Sequence, residues 1–475
     1  MKLPNPLLTP HHPTHSLLPS LTSFTVKSLP SDYTSLSAWR NYYLDTNTNP
    51  LHPALLFCGA ISMLVWFLGE VTGNVSQVDR LWTTLPLVYS AHFTFIPYWN
   101  GSVSSISELD HRMLLVFALQ CCWSARLTYQ SARRGFLDPR SEDYRWPLVR
   151  KKIPTWAFKL LNFVFIAWIQ NLLLLIAELP QYLLLTHSLS SSGHISQLKK
   201  LTSHHAKSVR VPLNVADVLL AAAFLVTLTL EMRADNQQQR FQNLKHGALK
   251  KDQSRRTEKE KKAIERGFVT GGLWSWSRHP NFACEQTTWY ILYAFAVLPF
   301  LPLTSSLTSH PLSTVSSHLT RSNVTSFLVS VSDELPSLNE LLTVLSHPIS
   351  YIKHLDLLNY TSLYSRVKAD VVLAGELAYR ELKEDHGVYW NYAILAPVLM
   401  SLLFFASTDL TEKISASKYP LYKTYQKRVS MFFPMFTTVK GLWLFVTGRR
   451  GKVDRELFGT GEKVVVVKGF KEKRL

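Results

Sequence analysis

Seven long runs of apolar residues limit what this 475-residue chain can fold into more than any other feature of its sequence. The runs cover residues 51–68, 81–98, 113–129, 156–177, 213–230, 287–303 and 389–406. A helix needs about 20 apolar residues to cross a hydrocarbon core about 30 Å thick, and each run approaches that length. Polar segments separate the runs, which explains why the mean hydropathy of the chain is near zero. We therefore predict an all-α polytopic membrane bundle of about seven transmembrane helices.

Basic residues lie beside these runs and predict their orientation. The formal net charge is +18 at pH 7, which in a soluble protein would suggest nucleic acid as a partner. Here the Lys and Arg residues cluster between the third and fourth runs, between the fifth and sixth runs, and after the last run. The positive-inside rule places these segments in the cytosol, where they face anionic lipid. We expect the membrane, and no nucleic acid, as the partner.

The four cysteines predict neither a disulfide framework nor a metal site. They are Cys58, Cys121, Cys122 and Cys284, and all lie in or next to apolar runs. No CxxC and no Cys/His ligand spacing is present in the sequence. We therefore expect no metal partner.

The polar segments divide the chain into three parts. Residues 1–50 are rich in Pro, Ser, Thr and His and predict a flexible N-terminal tail. Residues 51–434 form the membrane helical domain, and residues 435–475 form a cytosolic C-terminal tail. Within the domain, two Ser/Thr/His-rich stretches at 186–211 and 304–343 are typical of weakly structured insertions.

A junction at residues 267–286 carries the polar groups best suited to chemistry. Its sequence is GFVTGGLWSWSRHPNFACEQ, and it joins a charged segment to an apolar one. Arg278 and His279 offer donors for phosphate or carboxylate, and Pro280 fits the first turn of a helix whose positive end would face the same anion. The alternative interpretation is an interfacial boundary at which aromatic residues and Arg278 anchor a transmembrane helix.

The end of the fifth apolar run carries a second polar set. Glu231, Asp235 and Gln238 recur at helical spacing and share one face, while Arg240 extends toward the cytosol. An acid and amides at this depth can hydrogen-bond ribose hydroxyls or a nicotinamide carboxamide, and nearby basic residues can hold phosphates. An ordinary polar helix end is the alternative.

A third polar set follows the last apolar run. Glu412 precedes a Tyr-Pro-x-Tyr-x-x-Tyr element that begins at Tyr419 and includes Tyr422 and Lys423. Tyr419 and Tyr422 offer aromatic faces, and Lys423 offers a cation that suits a phosphate. On spacing alone the stretch is typical of an interfacial amphipathic helix with snorkelling lysines.

Two earlier positions also carry polar groups close to apolar runs. Asp79 and Arg80 lie at the mouth of the second run, where charges are costly unless they are paired or functional. Tyr129 ends the third run. The alternative to function is an ion pair of Asp79 with Arg80 or Arg126, together with an interfacial position for Tyr129.

The pattern GLW-x-WSRHPN-F-x-x-E, from Gly272 to Glu285, resembles the steroid 5-alpha-reductase C-terminal-domain superfamily and, within it, the DUF1295 branch. The stretches around Asp79 and Tyr129 resemble the same branch. Isoprenylcysteine carboxyl methyltransferases carry the same kind of signature. Sterol reductases of the superfamily look more like this chain in the motif than true steroid reductases do. The resemblance therefore marks the superfamily better than the reaction.

The resemblance implies a membrane-embedded NADPH-dependent reductase of a C=C bond in a sterol, steroid or enone-like lipid, with its cofactor-binding half at about 213–434. The implied cofactor-binding residues are Glu231, Asp235, Gln238, Arg240, Trp274, Arg278, His279, Asn281, Glu285, Tyr419, Tyr422 and Lys423. Among these, Arg278, Arg240 and Lys423 would hold the phosphates. In steroid reductases an Asn stands where this chain has Glu231. A Glu and a Tyr polarise the substrate carbonyl there, and Asp79 and Tyr129 are the nearest candidates for catalysis here.

Two other functions are compatible with the same motifs. One is an S-adenosylmethionine-dependent methyltransferase of the lipid or isoprenylcysteine type, whose cofactor has no phosphate and needs fewer basic contacts. The other is a non-enzymatic membrane protein that keeps the fold and binds a lipid. The expected location is the endoplasmic reticulum membrane, with a cytosolic C-terminus.

Overall fold

The computed structural model of the protein describes residues 29–186, 213–298 and 391–458, together with residue 17, residues 20–25 and residue 188. Within these residues all the named elements are helices. The β-type pairing among them is an isolated parallel bridge between Ser277 and Ser430. The described part of the chain is therefore all-α, as the sequence predicted. The predicted insertion at 304–343 lies outside the described residues, and so does nearly all of that at 186–211.

The chain divides into two compact units, of which the first comprises Met1–Phe224 and Tyr290–Val398. Its described helices include α1 (Leu36–Leu44), α2 (Leu51–Thr72), α3 (Gln77–Leu81), α4 (Leu85–Trp99), α5 (His111–Arg133), α6 (Arg145–Arg150), α7 (Thr155–Leu161) and α8 (Gln170–Ile176). A π-helical segment, Asn162–Ile169, joins α7 to α8. Helix α1 falls inside the predicted N-terminal tail, and its Tyr43 hydroxyl lies 2.9 Å from His92 Nδ1. Part of that tail is therefore helical and packs on this unit.

Four helices among the described residues are long and apolar enough to cross a membrane. They are Leu51–Thr72, Thr155–Thr186, Val215–Leu249 (α9) and Tyr392–Lys418. They overlap the first, fourth, fifth and last of the predicted runs. This is consistent with an integral membrane protein.

The other three predicted spans are shorter, more polar or only partly described, so the number seven stays a prediction. Helix α4 has 15 residues and carries Pro97 in its interior. Helix α5 has 23 residues but contains polar side chains such as Arg112 and Gln120. The run at 287–303 begins in the helix Pro280–Phe295 and continues past residue 298, beyond the described residues.

Two buried polar pairs tie the helices of the first unit together. Arg112 donates from Nε and Nη2 to the two carboxylate oxygens of Asp217 at 2.6 and 2.8 Å. Gln120 Nε2 donates to both carboxylate oxygens of Glu178 at 2.9 and 2.8 Å. Polar groups at this depth are costly without partners, so each pair restricts which faces of α5 and its neighbours can meet.

The second unit comprises Leu225–Trp289 and Leu399–Leu475. It holds most of α9, of α11 (Pro280–Phe295) and of α12 (Leu395–Lys418). It also holds α10 (Glu258–Arg266), α13 (Leu421–Arg428), α14 (Pro434–Val446) and α15 (Arg450–Phe458). Helices α14 and α15 lie in the segment that the sequence predicted as a C-terminal tail. That segment is therefore folded up to residue 458.

Gly267 ends α10 and lies directly against the ring of Tyr419. Its φ is 76°, in the left-handed region that side chains other than glycine adopt only with strain. A Cβ at this position would lie 2.0 Å from Tyr419 Cε1. Both the backbone turn and the close approach of the aromatic ring therefore require glycine here.

We predict that Gly267→Ala destabilises the second unit. The positive φ alone costs about 1–3 kcal/mol, and the clash with Tyr419 adds to it, so the melting temperature of the detergent-purified protein should fall by several degrees. Gly271→Ala is the matched control, because its φ is −99° and a Cβ there has no neighbour within 4 Å. Equal melting temperatures for the two variants would contradict this account.

Candidate functional site

The segment at residues 272–279 of the second unit is fastened to α9. Trp274 Nε1 donates to the carbonyl oxygen of Ala234 at 3.1 Å, and the Leu273 amide donates to Gln237 Oε1 at 3.0 Å. Gly272 has a φ of 65°, and a Cβ there would lie 2.6 Å from Gln237 Nε2. Glycine lets the backbone approach α9 closely enough for these bonds.

The chain that follows α13 holds the other side of the same segment. The amide of Arg278 donates to the carbonyl of Ser430 at 2.9 Å, and the amide of His279 donates to the carbonyl of Met431 at 3.0 Å. The hydroxyl of Tyr425 donates to the carbonyl of Trp274. The junction motif is therefore clamped between α9 and a stretch more than 150 residues further along the chain.

Glu412 of α12 is the centre of the site. Its Oε1 accepts from Arg278 Nε at 2.6 Å, lies 3.0 Å from His279 Nε2, and accepts from the Tyr422 hydroxyl at 3.3 Å. Its Oε2 accepts from Arg278 Nη2 at 2.8 Å and from Gln426 Nε2 at 2.9 Å. One buried carboxylate thus joins the junction motif at residues 267–286 to the polar set that follows the last apolar run.

The guanidinium of Arg278 donates hydrogen bonds to acceptors inside the protein. Besides its two bonds to Glu412, it donates from Nη1 to the carbonyls of Val429 and Gln426. The residue is buried. The sequence predicted that Arg278 would hold a cofactor phosphate. In the structure these donors contact Glu412 and two backbone carbonyls.

His279 is buried between Arg278, Glu412 and Tyr422. Burial lowers the pKa of His279, and the neighbouring Glu412 carboxylate opposes that shift only in part. Because Nε2 faces a carboxylate, the neutral tautomer carries its proton there. Nδ1 has no hydrogen-bond partner among the described residues and is available to a ligand. Burial, followed by the Glu412 charge, raises the pKa of Tyr422, so its hydroxyl stays protonated.

A second polar cluster lies on α9. Asn281 Nδ2 donates to Asp235 Oδ1 at 3.2 Å, and Glu231 and Asp235 are both buried. Asn281 Oδ1 and Gln238 Oε1 are among the buried side-chain atoms that have no hydrogen-bond partner within the described part of the chain. Buried polar groups in folded proteins nearly always have partners, which makes these two acceptors candidates for contact with a ligand.

The remaining predicted cofactor residues of the second unit differ in exposure. Glu285 is buried, and Tyr419 is partly buried with Lys245 and Lys418 over its ring at 6.0 and 5.6 Å. Arg240 and Lys423 are exposed. Arg240 and Lys423 can therefore contact an anion from the solvent, whereas the buried Arg278 guanidinium contacts protein acceptors.

The two predicted catalytic residues lie in the first unit. Asp79 is buried and accepts a hydrogen bond from Trp146 Nε1 at 3.1 Å, and burial raises the pKa of this carboxyl. Tyr129 is 52% exposed, with Arg133 over its ring at 5.5 Å. No hydrogen bond among the described residues joins Asp79 to Tyr129. Arg80 bonds backbone carbonyls, including that of Ser141 at 2.5 Å, rather than the Asp79 carboxylate.

Sequence reasoning did not include Glu412, Tyr425 and Gln426 among the site residues. A signal was present for the first of them. Glu412 is an acid on an apolar helix, followed by a segment rich in Lys and Arg, and such an acid is costly without a basic partner. Gln426 carries no comparable signal, because its role depends only on where α13 places it.

In its described part the chain is all-helical, has helices long and apolar enough to span a membrane, and clamps its junction motif around the buried carboxylate of Glu412. The family model of DUF1295, described as a protein of unknown function, matches residues 65–326, more than half of the chain. The chain belongs to the DUF1295 family. Its terminal tyrosine element lies beyond the matched residues.

One similar curated protein is an uncharacterized protein of Schizosaccharomyces pombe. It is 28% identical over 389 residues, which cover 82% of this chain and 80% of the relative. No solved structure matches the chain significantly. The description of this relative names no activity.

We predict that Glu412→Gln strongly destabilises the protein. Removing the charge leaves buried Arg278 without its counter-ion, and breaking such a pair costs about 3–5 kcal/mol. Asp409→Asn is the control on the same helix, because the Asp409–Lys413 pair is largely exposed and is worth less than about 1 kcal/mol. Melting temperatures in detergent would test this, and equal losses in both variants would refute a central role for Glu412.

We also predict a pH dependence that belongs to His279. Its folded pKa is lowered from 6.5, so below about pH 6.5 the unfolded chain binds a proton that the folded protein resists. The stability contributed by neutral His279 is therefore complete above that pH and is lost as the pH falls. His279→Gln should flatten the decline of melting temperature between about pH 7.5 and 5.5. Parallel profiles for the two proteins would be inconsistent with this titration.

Proposed function

We propose that the protein is a membrane-embedded NADPH-dependent reductase of a C=C bond in a sterol, steroid or enone-like lipid. The observation that carries the proposal is the pair of unpartnered buried acceptors, Asn281 Oδ1 and Gln238 Oε1, beside the Asp235 carboxylate. A ligand rich in hydrogen-bond donors could bind here and donate to these two acceptors. The lipid substrate would enter from the bilayer.

The residues of the second unit fit NADPH in two respects. Ribose hydroxyls and the carboxamide NH₂ of this cofactor are donors that suit Asn281 Oδ1 and Gln238 Oε1. Its phosphates suit the exposed cations Arg240 and Lys423. The neutral His279, with a free Nδ1, and the buried Trp274 add a polar and an aromatic contact. Arg278 fixes the loop that carries these groups.

Bound NADPH would supply a hydride to the electrophilic carbon of the substrate double bond. The protein would supply a dry site and a proton donor. Asp79 and Tyr129 stay the candidates for the donor. Of the two, Asp79 has the property that general-acid catalysis favours, because burial raises its pKa.

The cations favour a dinucleotide over S-adenosylmethionine, the cofactor of the alternative methyltransferase function. S-adenosylmethionine carries a carboxylate and a sulfonium but no phosphate, so it gives Arg240 and Lys423 less to bind. The proposed location is the endoplasmic reticulum membrane. A cytosolic C-terminus is supported by the basic residues beside the spanning helices.

Ligand-induced thermal stabilisation of the detergent-purified protein tests the proposal. NADPH, NADH and S-adenosylmethionine are compared, since a ligand at 100 times its Kd stabilises the folded state by about 2.7 kcal/mol. We expect a shift with NADPH that is at least halved in the Arg240→Gln/Lys423→Gln variant and kept in Lys413→Gln, an exposed cation of α12. A shift with S-adenosylmethionine alone would overturn the reductase and favour the methyltransferase. No shift with any of the three would favour a non-enzymatic lipid-binding protein.

The substitution Gln238→Leu tests the role of the unpartnered acceptor Gln238 Oε1. The substitution removes a buried polar atom that lacks a partner, so the ligand-free protein should be as stable as the wild type or slightly more stable. The same change should weaken NADPH binding about fivefold or more, since a hydrogen bond is worth about 1 kcal/mol or more. Thermal shift and a direct titration measure both quantities. Lower ligand-free stability with unchanged affinity would assign Gln238 to packing.

A further inference from the structure

Helix α14 turns its apolar face away from the second unit. Met435, Val439, Leu442 and Val446 follow one another at intervals of four, three and four residues, and so lie on one stripe. Each of these side chains is more than 60% exposed. In a soluble protein such a stripe would face the core.

The opposite face of α14 packs on the unit. Thr437, Gly441 and Leu444 are buried. The single charged residue of the helix, Lys440, points back and donates from Nζ to the carbonyls of Gln426 at 2.8 Å and Val429 at 3.3 Å. The outward stripe is therefore free of charge.

The length of α14 excludes a transmembrane role. Its 13 residues extend about 20 Å at 1.5 Å per residue, whereas a bilayer core is about 30 Å thick. A short helix with an exposed apolar stripe is suited to lie in the plane of a membrane interface. The second unit contains parts of α9 and α12, which are long and apolar enough to span a membrane. A bilayer would therefore lie next to this unit.

The charge around α14 complements an anionic membrane. No Asp or Glu occurs between residues 435 and 453, whereas Arg449, Arg450 and Lys452 follow the helix and are exposed. Cations next to an apolar stripe are the combination that binds anionic lipid surfaces.

A pocket opens beside the stripe. Its volume is about 650 Å³. Its polar lining includes Arg428 and Arg450, and its apolar lining includes Trp276, Leu442 and Phe458. The pocket thus has one basic wall and one apolar wall that continues into the exposed face of α14.

The positive charge of the basic wall exceeds the negative charge of the carboxylate that pairs with it. Arg428 Nε donates to Asp454 Oδ1 at 2.7 Å, and Arg450 Nε lies 3.4 Å from Asp454 Oδ2, so one carboxylate serves two guanidiniums. Nη1 and Nη2 of Arg428 have no hydrogen-bond partner among the described residues. Gly441 keeps α14 close to them, because a Cβ there would lie 3.3 Å from Arg428 Nη1.

We propose that this pocket binds one anionic phospholipid of the membrane on which α14 lies. The phosphate meets Arg428 and Arg450, and the acyl chains run along Leu442 and Val439 into the bilayer. The pocket takes Trp276 from the junction motif and Arg428 from the end of α13, and its other named residues lie in α14 and α15, which carry none of the proposed cofactor contacts.

Native mass spectrometry of the full-length protein in detergent tests the site with dioleoylphosphatidylglycerol, dioleoylphosphatidylcholine and glycerol 3-phosphate. We expect at least a tenfold preference for phosphatidylglycerol over phosphatidylcholine. Gly441→Leu, which fills the pocket and keeps its charge, and Arg450→Gln should each weaken binding at least fivefold. Arg455→Gln, an exposed cation of the same helix α15, should leave it unchanged.

Equal binding of the two lipids, wild-type affinity in Arg450→Gln, or equal binding of glycerol 3-phosphate and the lipid would each overturn the proposal. Arg450 lies on the surface, so its variant remains informative if Gly441→Leu fails to fold. A second measurement locates α14. In membranes, and with the native cysteines replaced by serine, a maleimide should label Leu442→Cys at least ten times more slowly than Arg455→Cys. Equal labelling rates would place the stripe in water and refute the proposal.

Discussion

The buried ion pair between Arg278 and Glu412 is the interaction on which the second unit depends. Taking both charges out of water costs several kcal/mol per ion, and only good geometry with further hydrogen bonds offsets that cost. Both conditions are met. The pair is bidentate, and His279, Tyr422 and Gln426 complete the shell of the carboxylate. The pair therefore fixes a single arrangement of α12, α13 and the junction motif.

The polar clusters around Glu412 and around Asp235 differ in how completely their hydrogen bonds are satisfied. Around Glu412 the donors and acceptors are matched, as in a stable core. Around Asp235 two buried acceptors stay unmatched, on Gln238 and Asn281. Proteins usually break the rule of full satisfaction at functional sites. The cluster on α9 is therefore the place to look for a ligand, and the Glu412 network is the frame that holds it in position.

The sequence predicted the helical class, four spans that the structure describes, and the three motifs that the second unit brings together. These features follow from composition and helical periodicity, which are local. The roles of Arg278 and Glu412 were harder to predict because their pairing joins residues 134 apart, and no spacing rule reports such a distance. The sequence analysis did not predict the helices at residues 435–458, for a related reason. Helix α14 has the apolar pattern of a core helix, and only its outward orientation reveals a different environment.

The long separation between Arg278 and Glu412 also has a consequence for biosynthesis. A ribosome that adds 5–20 residues per second makes Glu412 about 7–27 s after Arg278, because 134 residues separate them. During that interval the arginine has no carboxylate partner, and the backbone clamp from residues 430 and 431 does not yet exist. The polar groups of the junction motif therefore stay hydrated until residues 412–431 have been made. The site can assemble only after that stretch has emerged.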